Sequence, residues 1–208
     1  MTLLNFLDYS GQIIIDGIDI STLSRHMLRT SIITISQDAV DLDETVRDTI
    51  CPWSTNLSAE ESKRQDLAIT KLLQKLRLWS LVEQKGGLGV TTSVLKLSNG
   101  QKQLLSVARA VLRAISTGSR LVFMDEAIST LDNDTDELVQ GLVKEMFAHC
   151  TVISVAHRLE TIADADITLE MANGMIVAKT ETTTMPSNTT PSELFRELSE
   201  LLPSATRR

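Results

Sequence analysis

The stretch LVFMDEA, residues 121–127, indicates the fold class of this chain, because an apolar run ends there in two adjacent carboxylates, Asp125 and Glu126. A second apolar run, TVISV, occupies residues 151–155. Both runs are continuously apolar rather than alternating, which is typical of strands buried on both faces of a parallel sheet. A helical pattern over residues 134–148 separates them. Strand, helix and strand in this order predict a crossover unit and therefore an α/β fold.

Polar side chains follow three predicted strands at the point where each strand ends. Asp125 and Glu126 end the first run, His157 follows the second, and Gln37 follows SIITIS. Ligands bind at the carboxyl ends of the strands in open α/β sheets. Two adjacent carboxylates there suit the tasks of holding Mg²⁺, through Asp125, and polarising an attacking water, through Glu126. Asp125 and Glu126 alone are equally well explained as a solvated strand end, and His157 alone is better explained as a polar surface residue. The three strand ends together favour a ligand site.

The segment LSNGQ, residues 97–101, supports two interpretations. Ser98 and Gln101 match the S-x-x-Q pattern of a capping box, in which each side chain satisfies a backbone donor of the first helical turn. Apolar residues at helical spacing follow, so a helix begins here. The same residues could serve only as a cap, or could present a helix N-terminus to a phosphate group. The local pattern leaves both open.

Composition narrows the class of protein. The chain has 208 residues, 42% of them hydrophobic, and a formal net charge of −7, which predicts one acidic domain with a sizeable core. No predicted helix face carries a Lys/Arg cluster, so nucleic acid is not an expected partner. Cys51 and Cys150 belong to no disulfide or metal pattern. No apolar run reaches the ~18 residues typical of a transmembrane helix, so any membrane-spanning segment would belong elsewhere.

The remaining pattern predicts short elements around these motifs. Asp-Gly and Asn-Gly dipeptides predict two hairpins, the first at residues 12–20 and the second at the turn of ITLEMANGMIVAK. We expect a single domain over residues 1–208, with a helical lobe over about 45–115, a polar loop over 180–192 and a short helix over 191–202. KGGLGV is interpreted as a linker.

In their order and spacing, the motifs resemble the nucleotide-binding domain of ABC transporters, most closely the second such domain of the multidrug-resistance-associated subfamily. The match covers almost the whole chain. Its motifs are GQIIIDGIDIS, a Q-loop at Gln37, ETVRDTICPW, the signature LSNGQ, the Walker B strand LVFMDE, the D-loop STLD ending in Asp132, and the H-loop His157 in VAHRLETI. Each motif is modest in specificity, and the ordered set is highly specific.

This resemblance implies the fold and the cofactors. The expected fold is a P-loop NTPase-like ABC ATPase domain, with a parallel core sheet, a small antiparallel β part and a helical subdomain. The expected cofactors are ATP and Mg²⁺. In the family, two such domains enclose two nucleotides, and the signature of one faces the γ-phosphate held by the other. Ser98, Gly100 and Gln101 match those signature positions.

The resemblance also assigns roles at the strand ends. Glu126 matches the general base, and Asp125 and Gln37 match the residues that serve Mg²⁺ and the attacking water. His157 matches a contact to the γ-phosphate, and Asp132 matches a residue at the interface between domains. The implied partners are a second ABC nucleotide-binding domain and the transmembrane domains of a transporter, at the cytoplasmic face of a membrane.

The sequence departs from the family in one respect. No G-x-x-x-x-G-K-[ST] pattern occurs among its nine glycines. We therefore expect the printed chain to lack the P-loop strand and to hydrolyse no ATP alone. The alternative to an ATPase that drives solute export is an inactive partner module, which supplies its signature to another domain. A chromosome-maintenance ATPase of the same superfamily is disfavoured, because such chains insert long coiled coils between the Q-loop and the signature. Here only about 60 residues, without heptads, separate Gln37 from Ser98.

Overall fold

A computed structural model describes residue 4 and residues 7–36, 43–125, 133–156, 165–182 and 191–202. The predicted site residues Gln37, Glu126, Asp132 and His157 lie outside the described residues, as does most of the predicted polar loop. Among the helices described, none is long and apolar enough to cross a bilayer.

A small hairpin lies in the N-terminal part of the described residues. Strand β1 (Ile14–Ile15) pairs antiparallel with β2 (Ile18–Asp19). The two turn residues, Asp16 and Gly17, have φ of 50° and 78°, and positive φ at both positions is the signature of a type I′ turn. The predicted hairpin is therefore confirmed. A 3₁₀ turn (Ile20–Thr22) leads from it towards helix α1 (Arg25–Ser31).

The central sheet contains three parallel strands in the described residues. Strands β3 (Ile32–Ser36), β4 (Leu121–Asp125) and β5 (Thr151–Val155) lie in the order β3-β4-β5. Both pairs are parallel and in continuous register. The prediction of an α/β fold with a parallel sheet is confirmed.

Helices fill most of the sequence between β3 and β4 and flank β5. Their bounds are α2 (Val46–Ile50), α3 (Ala59–Lys75), α4 (Trp79–Gln84), α5 (Thr92–Leu95), α6 (Asn99–Thr117), α7 (Asn133–Met146) and α8 (Glu193–Leu201). The segment KGGLGV, interpreted from sequence as a linker, contains a short 3₁₀ helix (Gly87–Gly89). Leu88 at its centre is buried, so packing of that side chain holds the turn in place.

Two clusters of buried side chains lie against the sheet. The larger cluster joins the helices to one side of the sheet through Ile33, Ile35, Val122 and Met124. The smaller cluster lies beneath the first hairpin and includes Ile20, Leu28 and Ile32, with Leu121 and Phe123 packed against it. Alternate residues of β4 therefore contact different clusters, as the period of two of a strand requires.

Strand β5 differs from its neighbour and corrects one expectation. Its apolar sequence predicted burial on both faces, but all five of its residues are exposed in the described structure. Val152 and Ile153 are each 38% exposed, and Val155 is 42% exposed. The expectation was wrong because an apolar strand is buried only where other elements cover it, and the described elements cover β3 and β4.

A second antiparallel pair follows β5. Strands β6 (Ile167–Ala172) and β7 (Met175–Glu181) are joined by Asn173 and Gly174, with φ of 51° and 77°. These angles again fit a type I′ turn, so the predicted Asn-Gly hairpin is confirmed. The two hairpins form the antiparallel β part of the fold.

Candidate functional site

The signature segment forms the start of α6. Ser98 is the N-cap: its backbone N–H donates to Gln101 Oε1 at 3.0 Å, and the Gln101 backbone N–H donates to Ser98 Oγ at 3.2 Å. These reciprocal bonds are the predicted capping box. Lys96, with φ of 49°, turns the chain from α5 into this segment. The local residues thus define where α6 begins.

The first turn of α6 offers hydrogen-bond donors to solvent. The first amides of a helix have no acceptor within the helix, and here they belong to Asn99 and Gly100. Ser98 and Asn99 are exposed and Gly100 is half-buried. Because Ser98 Oγ accepts the bond from Gln101, its hydroxyl proton can still be donated. Two amides, one hydroxyl and the helix dipole make this end suitable for an anion.

A buried glutamine joins α6 to the central sheet. Gln103 is 3% exposed, and its Nε2 donates to the carbonyl oxygen of Ser36 at 3.0 Å. Ser36 is the last residue of β3, directly before Gln37. The helix that carries the signature is therefore bonded to the strand that leads into the predicted Q-loop. Gln103 was not predicted from sequence, and its only signal was a polar residue at helical spacing from the apolar Val107 and Ala110.

The carboxyl ends of the three parallel strands lie side by side. Ser36 is opposite Asp125, and Asp125 is opposite Val155. The structure therefore brings together the strand ends from which Gln37, Glu126 and His157 follow, while those side chains lie outside the described residues. Asp125 itself is exposed at this edge.

Asp125 is the one predicted Mg²⁺ ligand among the described residues. These residues contain no group of three or more His, Cys, Asp or Glu side chains that could hold a metal ion. Mg²⁺ is commonly held by one or two carboxylates, with substrate phosphates and water completing its shell. The exposed carboxylate at the end of β4 fits that mode.

Three arginines link α2 and the segment that follows it to α3 and α6, and so position α6. Arg47 donates to both carboxylate oxygens of Asp66 at 2.6 and 2.7 Å, and this pairing raises the pKa of Arg47. Arg109 Nε donates to the carbonyl oxygen of Thr49 at 2.6 Å. Arg113 lies 5.0 Å from the centre of the Trp53 ring, within cation–π range.

Comparison with known proteins identifies the family. The family model described as ABC transporter matches residues 1–129. The chain belongs to the ABC transporter family. Its parallel sheet, small antiparallel sheets and helices are those of an ABC nucleotide-binding domain, and the recognition made from its motifs is confirmed.

Similar proteins come from fungi and animals. The chain is 41% identical over 189 residues to the ABC transporter atnG of Emericella nidulans, covering 90% of this chain and 11% of that protein. It is 41% identical over 170 residues to ATP-binding cassette sub-family C member 2 of Homo sapiens, covering 80% of this chain and 10% of that protein. The chain thus spans about a tenth of the length of these relatives.

A solved structure supports the fold. The chain resembles a bacterial Atm1-family ABC exporter with ATP bound, with a TM-score of 0.71 and 27% sequence identity. The alignment covers 86% of this chain and 30% of that one. The family and this neighbour support an ATP-binding domain of exporter type.

Proposed function

We propose that this chain is the ATP-hydrolysing domain of an ABC exporter, that it couples hydrolysis to solute export, and that its signature completes a nucleotide site on a second domain. The observation that supports this most directly is the exposed start of α6. Ser98 offers a hydroxyl there, and Asn99 and Gly100 offer backbone amides. Such donors at a helix N-terminus bind phosphate well.

The proposed roles at the strand ends follow the family resemblance. Asp125 would hold Mg²⁺ together with Gln37, and Glu126 would accept the proton of the attacking water. Bound ATP would supply the phosphoryl group, and Mg²⁺ would neutralise charge on it. His157 would contact the γ-phosphate, and Asp132 would contact the second domain. The register of Ser36, Asp125 and Val155 supports a shared edge for these residues.

Substitution of Ser98 tests the proposal. Asn caps a helix as well as Ser does, so Ser98→Asn should preserve the stability of the fold. It replaces a small hydroxyl with a larger amide where the phosphate would lie. We expect the ATP turnover of the pair formed by this chain and a second nucleotide-binding domain that has its own P-loop to fall at least tenfold, which corresponds to about 1.4 kcal/mol.

The chain offers a matched control in a second capping box. Ser58 and Glu61 form the same reciprocal bonds at the start of α3. Ser58→Asn should leave both the melting temperature and the turnover unchanged. If Ser98→Asn also changed neither, the capping box would be the whole role of Ser98 and the proposal would fail.

A partner module without catalysis of its own is the second candidate, favoured by the lack of a G-x-x-x-x-G-K-[ST] pattern in the printed sequence. It predicts that Ser98→Asn impairs the paired domains whereas Glu126→Gln leaves turnover unchanged. The ATPase proposal predicts that Glu126→Gln also lowers turnover once this chain is extended by an upstream segment that carries a P-loop. Measuring both variants in the same paired assay separates the two functions.

The proposed setting is the cytoplasmic face of a membrane, with transmembrane domains of the transporter as further partners. The support is the kinship with exporters. Co-purification of the chain with transmembrane domains from detergent extracts tests it. Recovery of the chain without them, at every ionic strength used, would contradict this setting.

A further inference from the structure

The side chain of Gln103 lies where the helical region, residues 46–117, meets the central sheet. Gln103 is on the second turn of α6, five residues after the cap Ser98. It is 3% exposed, and its Nε2 donates to the carbonyl oxygen of Ser36 at 3.0 Å. Ser36 is the last residue of β3 and is opposite Asp125 in the sheet. This hydrogen bond therefore joins the signature helix to the edge at which the strands end.

Packing alone does not account for an amide at this position. The following residues of the helix, Leu104, Leu105 and Val107, are buried and apolar. An apolar side chain of similar volume would fill the space of Gln103, and a buried amide costs free energy unless it is hydrogen-bonded. A hydrogen bond has a preferred distance and direction, which apolar packing lacks. The amide therefore specifies where α6 lies on the sheet.

Two polar contacts hold α6 from different sides. Arg109 Nε donates to the carbonyl oxygen of Thr49 in α2 at 2.6 Å, so this contact ties α6 to its own helical region. Gln103 ties α6 to the sheet, and the two side chains leave the helix about 120° apart because a turn has 3.6 residues. The apolar cluster that α6 shares with Ile33 and Ile35 is non-directional. The Gln103 bond adds the direction that this packing lacks.

A displacement of α6 at Gln103 would reach the signature. The capping box bonds Ser98 and Gln101 to each other, so the first turn moves with the rest of the helix. Five residues of α-helix span only about 7.5 Å. The positions of the Ser98 hydroxyl and the Gly100 amide therefore follow that of Gln103. A misplacement of about 1 Å at a reacting centre can lower a rate about a hundredfold.

We propose that Gln103 is a positioning residue, whose hydrogen bond to Ser36 holds the signature donors in the orientation that a phosphate group on a second domain requires. This role rests on the function proposed above for Ser98 and Gly100, and it names the residue that places them. Because its side chain is buried, Gln103 acts through the helix and not on the nucleotide.

Steady-state turnover of the pair formed by this chain and a second nucleotide-binding domain with its own P-loop tests this role. Gln103→Met keeps the length of the side chain and removes the donor, so we expect kcat to fall about tenfold or more. KM for ATP should stay nearly unchanged, because the P-loop of the second domain holds the phosphates. Gln103→His restores an Nε2–H donor of similar reach, and should retain most of kcat.

A control variant separates positioning from loss of stability. Leu72→Ala removes a fully buried apolar side chain from α3 and leaves the donor of Gln103 in place. All variants are assayed at a temperature where circular dichroism shows that they are folded. Under these conditions Leu72→Ala should keep the kcat of the unaltered pair, although its melting temperature is lower.

The outcomes distinguish this role from the function on which it rests. If Ser98→Asn lowers kcat and Gln103→Met does not, the function stands and the positioning role is wrong. The role is also wrong if Leu72→Ala or Gln103→His lowers kcat as much as Gln103→Met, because stability or packing then explains the loss. If Ser98→Asn leaves kcat unchanged, the proposed function fails, and the positioning role fails with it.

Discussion

The helical region, residues 46–117, and the strands β5 to β7 are both rich in apolar residues, but they differ in exposure. Leu72, Leu73 and Leu76 of the helical region are fully buried. In the strands, Leu169 is 50% exposed and Met171 is 65% exposed. Segments of similar apolar composition are therefore buried in one part of the chain and exposed in another.

The difference reflects how each element buries its surface. An amphipathic helix needs one covered face, and helices that follow one another in sequence cover each other. A strand needs partners at its edges and cover on its faces. In the described residues β5 pairs with β4 alone, and β6 pairs with β7 alone. Apolar composition therefore indicates which surface favours burial, and the surrounding elements decide whether burial is achieved.

The largest expected effect tests this contrast directly. Leu72→Ala removes a fully buried side chain and should lower the free energy of unfolding by about 2–5 kcal/mol. Leu169→Ala, at a half-exposed position, should lower it by less than about 1 kcal/mol. Denaturant unfolding of both variants provides the measurement. Similar losses of unfolding free energy in the two variants would mean that Leu169 of β6 is covered to the same degree as Leu72.

The hydrogen bond between α6 and β3 should have the next largest effect. Gln103→Met removes the donor of this part-buried hydrogen bond to the carbonyl oxygen of Ser36, and should cost about 1–3 kcal/mol. Gln74→Met is the control, because Gln74 is exposed on α3. It should change the free energy of unfolding by no more than about 0.5 kcal/mol. Equal losses in the two variants would show that the hydrogen bond of Gln103 does not stabilise the packing of the helical region against the sheet.

A buried thiol makes stability depend on alkaline pH. Burial raises the pKa of Cys51 from 9.0 to about 12, because the folded state favours the neutral thiol. The contribution of the neutral thiol to the free energy of unfolding is complete below pH 9 and is lost as the pH rises towards 12. Between pH 8 and pH 10 the stability of the unaltered chain should fall by about 1.4 kcal/mol more than that of Cys51→Ala.

The second cysteine provides the control for that measurement. Burial also raises the pKa of Cys150, which is only half-buried. Cys150→Ala should therefore retain most of the pH dependence of the unaltered chain. The attribution to Cys51 fails if its replacement leaves the alkaline slope unchanged.

The smallest expected effect on stability concerns β5. Ile153→Thr places a β-branched polar residue at an exposed strand position, and should change the free energy of unfolding by about 0.5 kcal/mol or less. It should nevertheless slow aggregation, because exposed apolar strands pair between molecules. Light scattering on heating measures this, and unchanged aggregation would show that another surface is responsible.

Part of the candidate site could be predicted from sequence. Ser98 and Gln101 lie three residues apart, so their mutual hydrogen bonds depend only on local backbone geometry. The shared edge of Ser36 and Asp125 followed from the apolar runs before them, since parallel strands align their carboxyl ends. The catalytic roles of Glu126, His157 and Gln37 stay predictions, as those residues lie outside the described part of the chain.

Contacts between distant residues could not be predicted in this way. Gln103 and Ser36 are 67 positions apart, and Arg109 and Thr49 are 60 apart. No local pattern specifies which carbonyl oxygen a buried side chain will meet. Such pairs depend on how the helical region packs against the sheet.

The sequence by itself determined the elements whose causes are local: the turns at Asp16-Gly17 and Asn173-Gly174, and the capping boxes that begin α3 and α6. These follow from backbone conformations that neighbouring residues permit. Only the tertiary structure decided that β4 is covered on both sides while β5 is exposed, and that Gln103 of α6 donates to Ser36 of β3. Burial and long-range hydrogen bonds depend on residues far apart in sequence, because free energy is gained only where packed surfaces meet.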